Sequence, residues 1–501
     1  MDSNVFLQNI QKKTMNKIED NILTGVILAA GKGVRAYPAT KKIPKALLEV
    51  GGKPLIERNV EIMRDQLNIK KIIIVVGHYG DQIVNYFENK SIGVQFTFVK
   101  QKEQKGIGHA LLTIEPLIED EKFFVILADE FYMDSNHYKL LDFMNKETDA
   151  VLLFREEKDK NKISNNFTGK IHNNRVMSLI EKPENPDSRL MGVGSYLLNN
   201  KVFYYIKNTL PSKLRDEVEI TEVLANMAKH EMVCARMLDG IYINVNNTDD
   251  LNNANYRLRE KNFDRYKISV VIPAYNEAKT IEEVLDEFMA QSSVDEVLVV
   301  DNNSTDDTLK LSVAAGARVI TENKQGYGCA IKRGLDEAIG EIIILTAADG
   351  SFRAEDIPKF LEYLKDSDMV IGTRTTRQMI EQGSNMGPLV RFVSLLYGKI
   401  VEVLWWDQEP RFTDVGCTYR AIWKSSYQKI KPYLKTTGSE FDTEMMLALL
   451  ICKKRIIEIP VSYRKCFGDQ LKKLSRLRAL VKTAVKLMVI ILQYRFVSKK
   501  S

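Results

Sequence analysis

Two short apolar runs, GVILAAGKG from Gly25 and ISVVIPAYNE from Ile268, restrict what this chain can fold into more than any other feature. Each is a run of β-branched and small residues that closes on small or polar residues and passes into a helix-like segment. Uninterrupted apolar runs of this length suit strands covered on both faces, because a solvated face would bring alternating polar residues. Similar runs follow each one: KKIIIVVG, VQFTFV, FFVILAD and AVLLF after the first, then EVLVVD, ARVITE, EIIILTAAD and DMVIGTR after the second. Amphipathic segments separate them. Strands alternating with helices imply mainly parallel sheets, and two series imply two Rossmann-like α/β domains in series. The polar stretch LNNANYRLREKNFDRYK joins them, with a boundary expected near residues 255–266. Ligands of such sheets bind beyond the carboxyl ends of the strands, so both domains are expected to bind nucleotides there.

The totals agree with this. With 45% hydrophobic and 28% charged residues, 501 residues can supply more than one globular core. The five cysteines are scattered and form no CxxC pair, which argues against a zinc knuckle or a disulfide framework and for a reducing, cytoplasmic setting. Residues 1–23 contain no apolar signal-peptide core and read as a polar lead-in. The net charge of +6 is concentrated at the far end, where Arg464 to Ser501 contain eleven Lys or Arg and one Asp. The basic residues form no recognition motif, so nucleic-acid binding is not expected.

The densest motif is LAAGKGVRAYPATKKIPKALLEVGGKPLI, residues 28–56. Small residues after a strand let backbone N–H groups approach a triphosphate, and Arg35 and Lys45 add cations for charge developing on phosphate oxygens. This segment closely resembles the sugar-1-phosphate nucleotidylyltransferase family over roughly residues 24–255. The resemblance implies the nucleotidyltransferase fold over residues 24–258 and formation of an NDP-sugar from a nucleoside triphosphate and a sugar 1-phosphate, with pyrophosphate released. It implies catalytic roles for Arg35, Lys45 and Asp129, the last in FFVILADE. It implies nucleotide contacts at Ala29, Ala30, Gly31, Gly33, Gln101 and Gly106. Sugar-phosphate contacts would come from Gly169, Glu181, Lys182 and Glu217. Mg²⁺ would be held by Asp129 with Asn244 or Asn246 from INVNNTDDL. Two departures bear on the sugar: Val34 stands where Thr or Ser is usual, and GVGSY lacks a common Asn.

In the second half, SVVIPAYNEAKTIEEVL and VDEVLVVDNNSTDDTL together resemble glycosyltransferase family 2, which has the GT-A fold, over residues 267–475. By that resemblance Pro273, Tyr275, Glu277 and Asp301 line a nucleotide pocket. In IIILTAADGSF the metal-binding Asp-x-Asp is reduced to Ala347-Ala348-Asp349, so Asp349 alone would hold Mg²⁺ or Mn²⁺. Downstream, Arg374, Asp414, Arg420, Glu440, Asp442, Arg464 and Lys472 match acceptor and diphosphate elements of the polyprenyl-phosphate glycosyltransferases, the dolichyl-phosphate mannose synthase type among them. The resemblance implies a donor NDP-sugar and a polyprenyl-phosphate acceptor.

Residues 476–501 read as a basic amphipathic helix. Leu477, Leu480, Val481, Ala484, Leu487, Met488 and Ile491 share one side, and Arg478, Lys482 and Lys486 another. The longest uncharged run is too short to span a bilayer. Two roles stay open: lying on an anionic membrane surface, or packing on the catalytic domain or a partner chain. A homo-oligomer is compatible with the sequence. Other readings remain as well: a soluble acceptor or glycan for the second half, activation of a non-sugar phosphate such as phosphocholine by the first, and a non-catalytic binding module in place of the second.

Overall fold

The computed structural model describes residues 23–37, 40–144, 147–212, 217–382, 384, 386–465 and 484–496. Lys472, most of the N-terminal lead-in and the start of the basic tail lie outside the described residues. The chain forms two compact units, Met1–Ala254 and Asn255–Ser501, with the helix Thr248–Asn262 carrying the chain from one to the other.

In the first unit a nine-stranded sheet runs in the order Gln95–Lys100, Lys71–Val76, Thr24–Ala29, Lys122–Leu127, Leu190–Asn199, Ala150–Glu156, Val233–Met237, Arg175–Glu181 and Phe167–His172. The first four strands are mutually parallel. Leu190–Asn199 then enters antiparallel to both of its neighbours, and the far edge is an antiparallel pair. The sheet is therefore mixed where the apolar pattern suggested mainly parallel pairing, since strand direction is set by the connections and not by the run itself. The strand Thr24–Ala29 is buried throughout because both faces are covered, one by a cluster around Ile56, Val60 and Met63, the other by one around Leu111, Val223 and Leu224.

In the second unit a seven-stranded sheet runs Arg318–Thr321, Glu296–Asp301, Ile268–Ala274, Ile342–Leu345, Arg420–Trp423, Met369–Thr373 and Ile456–Pro460. Only Arg420–Trp423 is antiparallel to its neighbours. The helix Ile281–Met289 shows how local pattern becomes packing. Ile281, Val284, Leu285 and Phe288 recur at helical spacing and are buried, each removal from water contributing about 1.5–3 kcal/mol, while Glu282 and Glu283 sit in the first turn where the helix dipole favours them.

The helix over residues 484–496 packs on this unit. Ile490, Ile491 and Tyr494 are buried, with Ala484, Leu487 and Met488 against the same core. The Tyr494 hydroxyl donates to Glu444 at 2.8 Å. The side of the tail that was a candidate for membrane contact is thus, over the described residues, the side that anchors the helix to its own domain.

Candidate active sites

In the first unit a cleft of about 510 Å³ opens at the carboxyl ends of Thr24–Ala29 and Lys122–Leu127. Of the residues singled out in this half, Ala29, Ala30, Gly31, Gly33, Arg35, Lys45, Gln101, Gly106, Asp129, Glu181, Lys182, Glu217, Asn244 and Asn246 all line it. Gly169 does not. It lies in Phe167–His172, where an added Cβ would meet Leu179 and the Ser178 carbonyl at 2.9 Å, so its visible role is close strand packing.

At the centre Lys45 Nζ donates to Asp129 Oδ2 at 2.5 Å and to Asn246 Oδ1 at 3.2 Å. Asn244 Nδ2 donates to Asn166, while its buried Oδ1 has no hydrogen-bond partner. An orphaned amide oxygen near a carboxylate is a donor set that suits a hard divalent cation. Among the described residues no three His, Cys, Asp or Glu are arranged to hold a metal, so a cation here would need oxygens from substrate phosphates and water as well.

The loop after the first strand is fixed by its backbone. Gly33 has φ 65°, and a Cβ there would meet Lys45 Cβ at 3.1 Å. Glycine takes this left-handed conformation at the least cost. The carbonyl of Gly33 accepts from Thr40 Oγ1, and Gln104 Nε2 donates to the Ala30 carbonyl at 2.7 Å. Gln101 is buried, with Nε2 facing the Gly106 carbonyl and His109 Nδ1. Lys182 is held at φ 45°, a strained position for a side-chain-bearing residue and of the kind found at ligand sites.

Sequence reasoning passed over Glu130, Asn166, Phe167, Tyr196 and Thr221, all of which line the cleft. Glu130 is the most unusual. It is fully buried and accepts from Gly194 N at 2.8 Å, from the Tyr242 hydroxyl at 2.7 Å and from the Tyr132 hydroxyl, with no cation among these donors. Burial, opposed in part by these hydrogen bonds, raises its pKa to about 7. Nearby, burial lowers the pKa of His137 to about 3. A carboxyl raised in the folded state withdraws stability as pH rises from about 4.5 to 7, and an imidazole lowered in the folded state adds stability as pH rises from about 3 to 6.5, about 3 and 5 kcal/mol respectively. Between pH 4.5 and 6.5 the two largely cancel. Glu130→Gln removes one side of that balance, so thermal melts should show the stability of the variant relative to the native chain rising with pH across this window. A stability difference that does not change with pH would contradict this account.

In the second unit the singled-out residues again gather at strand ends. Ile268–Ala274 leads into Tyr275, which is half exposed, and into Asn276 at φ 57°. Asn276 Oδ1 accepts from Thr305 N, and Glu277 N donates to Thr308 Oγ1, tying this turn to the loop after Glu296–Asp301. Asp301 is buried and its Oδ1 has no hydrogen-bond partner. Thr280 Oγ1 donates to the Ala348 carbonyl at 2.8 Å and lies 3.2 Å from Glu277 Oε2. Burial and the charge of Asp349 raise the pKa of Glu277. A second carboxylate therefore stands close to Asp349 even though Ala347 removes the first one of the triplet.

Other members of the set have partners within the unit. Arg374 forms a two-pronged pair with Asp414, at 2.8 and 3.0 Å. Arg420 is fully buried and donates to the carbonyls of Cys417 and Asp442. Its enclosure is offset by these carbonyls and by the Asp442 carboxylate at 3.6 Å, since a buried guanidinium must be hydrogen-bonded and paired. Asp442 accepts from the Tyr327 hydroxyl at 2.9 Å. Arg464 donates to Glu287 and to the Phe352 carbonyl, and Glu440 meets Lys486 at 3.4 Å.

Residues 24–261 match the profile of the nucleotidyl transferase family. The chain is 31% identical over 242 residues to UTP–glucose-1-phosphate uridylyltransferase AglF of Haloferax volcanii, covering 98% of that protein and 48% of this chain. The chain belongs to the nucleotidyl transferase family. Its nucleotidyl transferase unit is also 32% identical to the UTP–glucose-1-phosphate uridylyltransferase of Pseudomonas aeruginosa, over 42% of this chain and 87% of that protein. The bifunctional protein GlmU of Methanocaldococcus jannaschii is 32% identical, and this chain spans only 55% of its length. A UDP-glucose pyrophosphorylase solved with UDP-glucose is 28% identical, over 48% of this chain and all of that one, with a TM-score of 0.44. Residues 269–424 match glycosyl transferase family 2. This nucleotidyl transferase chain therefore carries two transferase domains in series, the second of the GT-A type.

Proposed function

We propose that the first unit joins a uridine nucleotide to a hexose 1-phosphate and that the second transfers a sugar from such a donor to a polyprenyl phosphate. The observation that carries the first half is the meeting of Lys45, Asp129, Asn244 and Asn246 in one cleft floored by the Ala29–Gly33 loop. The relatives named for UTP and glucose 1-phosphate support the choice of substrates. The loop amides cradle the triphosphate, and Gln101 accepts from the base through Oε1. Lys182 receives the sugar phosphate, whose oxygen attacks the α-phosphorus in line. Lys45 and Arg35 offset the charge that builds on the α-phosphate and the departing pyrophosphate. Mg²⁺, held by Asp129 and the orphaned oxygen of Asn244, would supply further charge neutralisation. The phosphate nucleophile is already ionised, so positioning and electrostatics carry the rate and no side chain acts as base.

In the second unit Asp349, with Glu277 beside it, faces the donor diphosphate, and Asp301 turns its free oxygen to the nucleoside. Lipid phosphate as acceptor follows from the family-like order of motifs after Arg374 and from the cationic chain end.

The test is pyrophosphate release by the full chain with Mg²⁺, across a grid of nucleoside triphosphates and phosphorylated sugars and alcohols, phosphocholine included. UTP with a hexose 1-phosphate should lead, and its product should then donate sugar to polyprenyl phosphate. Preference for phosphocholine would replace the sugar reading. Transfer to a soluble acceptor without lipid would replace the second half of the proposal.

A further inference from the structure

Two helices of the second unit leave apolar stripes uncovered. On the helix Pro388–Leu404 and the short turn after it, Leu389, Phe392, Leu396, Val403 and Trp406 are 47–73% exposed. At 100° per residue the four within the helix fall inside an arc of about 60°, away from buried Tyr397 and Val401. On the helix over residues 484–496, Val485, Val489, Leu492 and Phe496 are 41–63% exposed. Their spacing of four, three and four residues also confines them to an arc of about 60°, opposite the side that packs on the domain. The two segments meet where the Tyr397 hydroxyl donates to the Ala484 carbonyl at 2.7 Å and where the Arg495 guanidinium lies 5.6 Å from the ring of Trp405, just after the first helix. Nine large exposed apolar side chains on adjoining helices exceed the scatter normal on a protein surface.

We infer that these two stripes form one docking surface for an anionic lipid bilayer. The charge pattern selects this occupant. Residues 484–496 contain Arg495, Lys486, which meets Glu440 at 3.4 Å, and no acid. The helix Pro388–Leu404 adds Arg391, its Lys399 and Glu402 pair with each other at 2.7 Å, and the turn that carries Trp406 adds the acids Asp407 and Glu409, so the cations of this face come chiefly from the chain end. The chain end from Arg464 carries eleven cations against one Asp. Apolar and aromatic side chains flanked by Lys and Arg, on helices lying flat, are the signature of interfacial association, in which side chains enter the headgroup boundary and cations meet lipid phosphates. Among the described residues no helix is long and apolar enough to cross a membrane. The choice of a bilayer also rests in part on the lipid-phosphate acceptor proposed above, which such a surface would bring within reach.

The chain contains its own reporter. Trp405 and Trp423 are buried, whereas Trp406 is 72% exposed. The purified full chain is mixed with vesicles of phosphatidylcholine alone or blended with phosphatidylglycerol, and tryptophan emission and co-sedimentation are followed. Binding and a blue shift with the anionic vesicles, weakened by salt, are expected. The double variant Phe392→Ser with Val489→Ser should lose about tenfold in vesicle affinity. Its transfer to a short-chain, water-dispersed polyprenyl phosphate should be unchanged, since neither side chain belongs to the catalytic site. Native protein that stays in the supernatant with an unshifted emission overturns the proposal. So does a double variant that binds vesicles like the native chain. If the native chain ignores vesicles and the double substitution converts a dimer to a monomer, the face belongs to a second copy and the proposal falls. Vesicle binding without any transfer to polyprenyl phosphate upholds the surface while removing the acceptor reading.

Discussion

Lys45→Ala is expected to cost nucleotide-sugar synthesis about a hundred- to a thousandfold, the loss typical when one fixed electrostatic partner of a developing negative charge is removed. Lys45 is nearly enclosed, with 11% of its side chain exposed, and its ammonium bridges Asp129 and Asn246. Its removal deletes a cation from the cleft and also frees two oxygen-bearing side chains to relax. Asp129→Ala should be at least as damaging, since it takes away the only carboxylate in that bridge. Both losses should appear as a fall in pyrophosphate release with kcat reduced at saturating substrates. Sugar transfer by the second unit from an added donor should be unaffected in both variants. Near-normal synthesis by either one would remove the cleft centred on Lys45 and Asp129 from consideration as the reaction site.

The largest expected effect on stability lies in the second unit. Asp414→Ala should destabilise it by about 3–5 kcal/mol, because the substitution leaves the Arg374 guanidinium enclosed without its counter-charge. Asp414 is 1% exposed and takes both prongs of Arg374 as well as its backbone N–H at 3.1 Å. The partnership holds Arg374 strongly in its charged form against the cost of burial. A lowered melting transition of the second unit with that of the first unchanged is the expected calorimetric result. An unshifted transition would mean that water replaces Asp414 easily and that the pair is not structural. The same experiment separates two roles that sequence order alone had merged, since a group that only met substrate would alter transfer without altering the melt.

Much of this was legible in the residues. The apolar runs name the central strands of both sheets, and the small-residue turn after Thr24–Ala29 is found where a phosphate loop is useful. What escaped was set by contacts distant in sequence. Leu190–Asn199 carries a long buried run, yet its antiparallel entry depends on the chain's route and not on its composition. Glu130 follows Asp129 and looks like any other acid. Only its enclosure in the assembled unit raises its pKa, a rise that the hydrogen bonds from Tyr132, Gly194 and Tyr242 partly oppose. Arg420 and Asp442 fit a motif order that suggests ligand contact, and the fold adds what that order does not show, an ion pair between the two at 3.6 Å and bonds to the chain's own carbonyls and hydroxyls.

By itself the sequence determined the periodic facts: which runs are buried strands, which turns are built of small residues, where cations accumulate and how the chain divides. These depend on local pattern, which a strand or helix imposes every second or every third and fourth residue. The tertiary structure decided which polar groups meet. It brought Lys45 to Asp129 and Asn246, and left Asn244 Oδ1 and Asp301 Oδ1 without partners. It also turned one side of the 484–496 helix inward and the other outward. Burial and partnership are properties of space, and residues far apart in sequence acquire them only when the sheet is assembled.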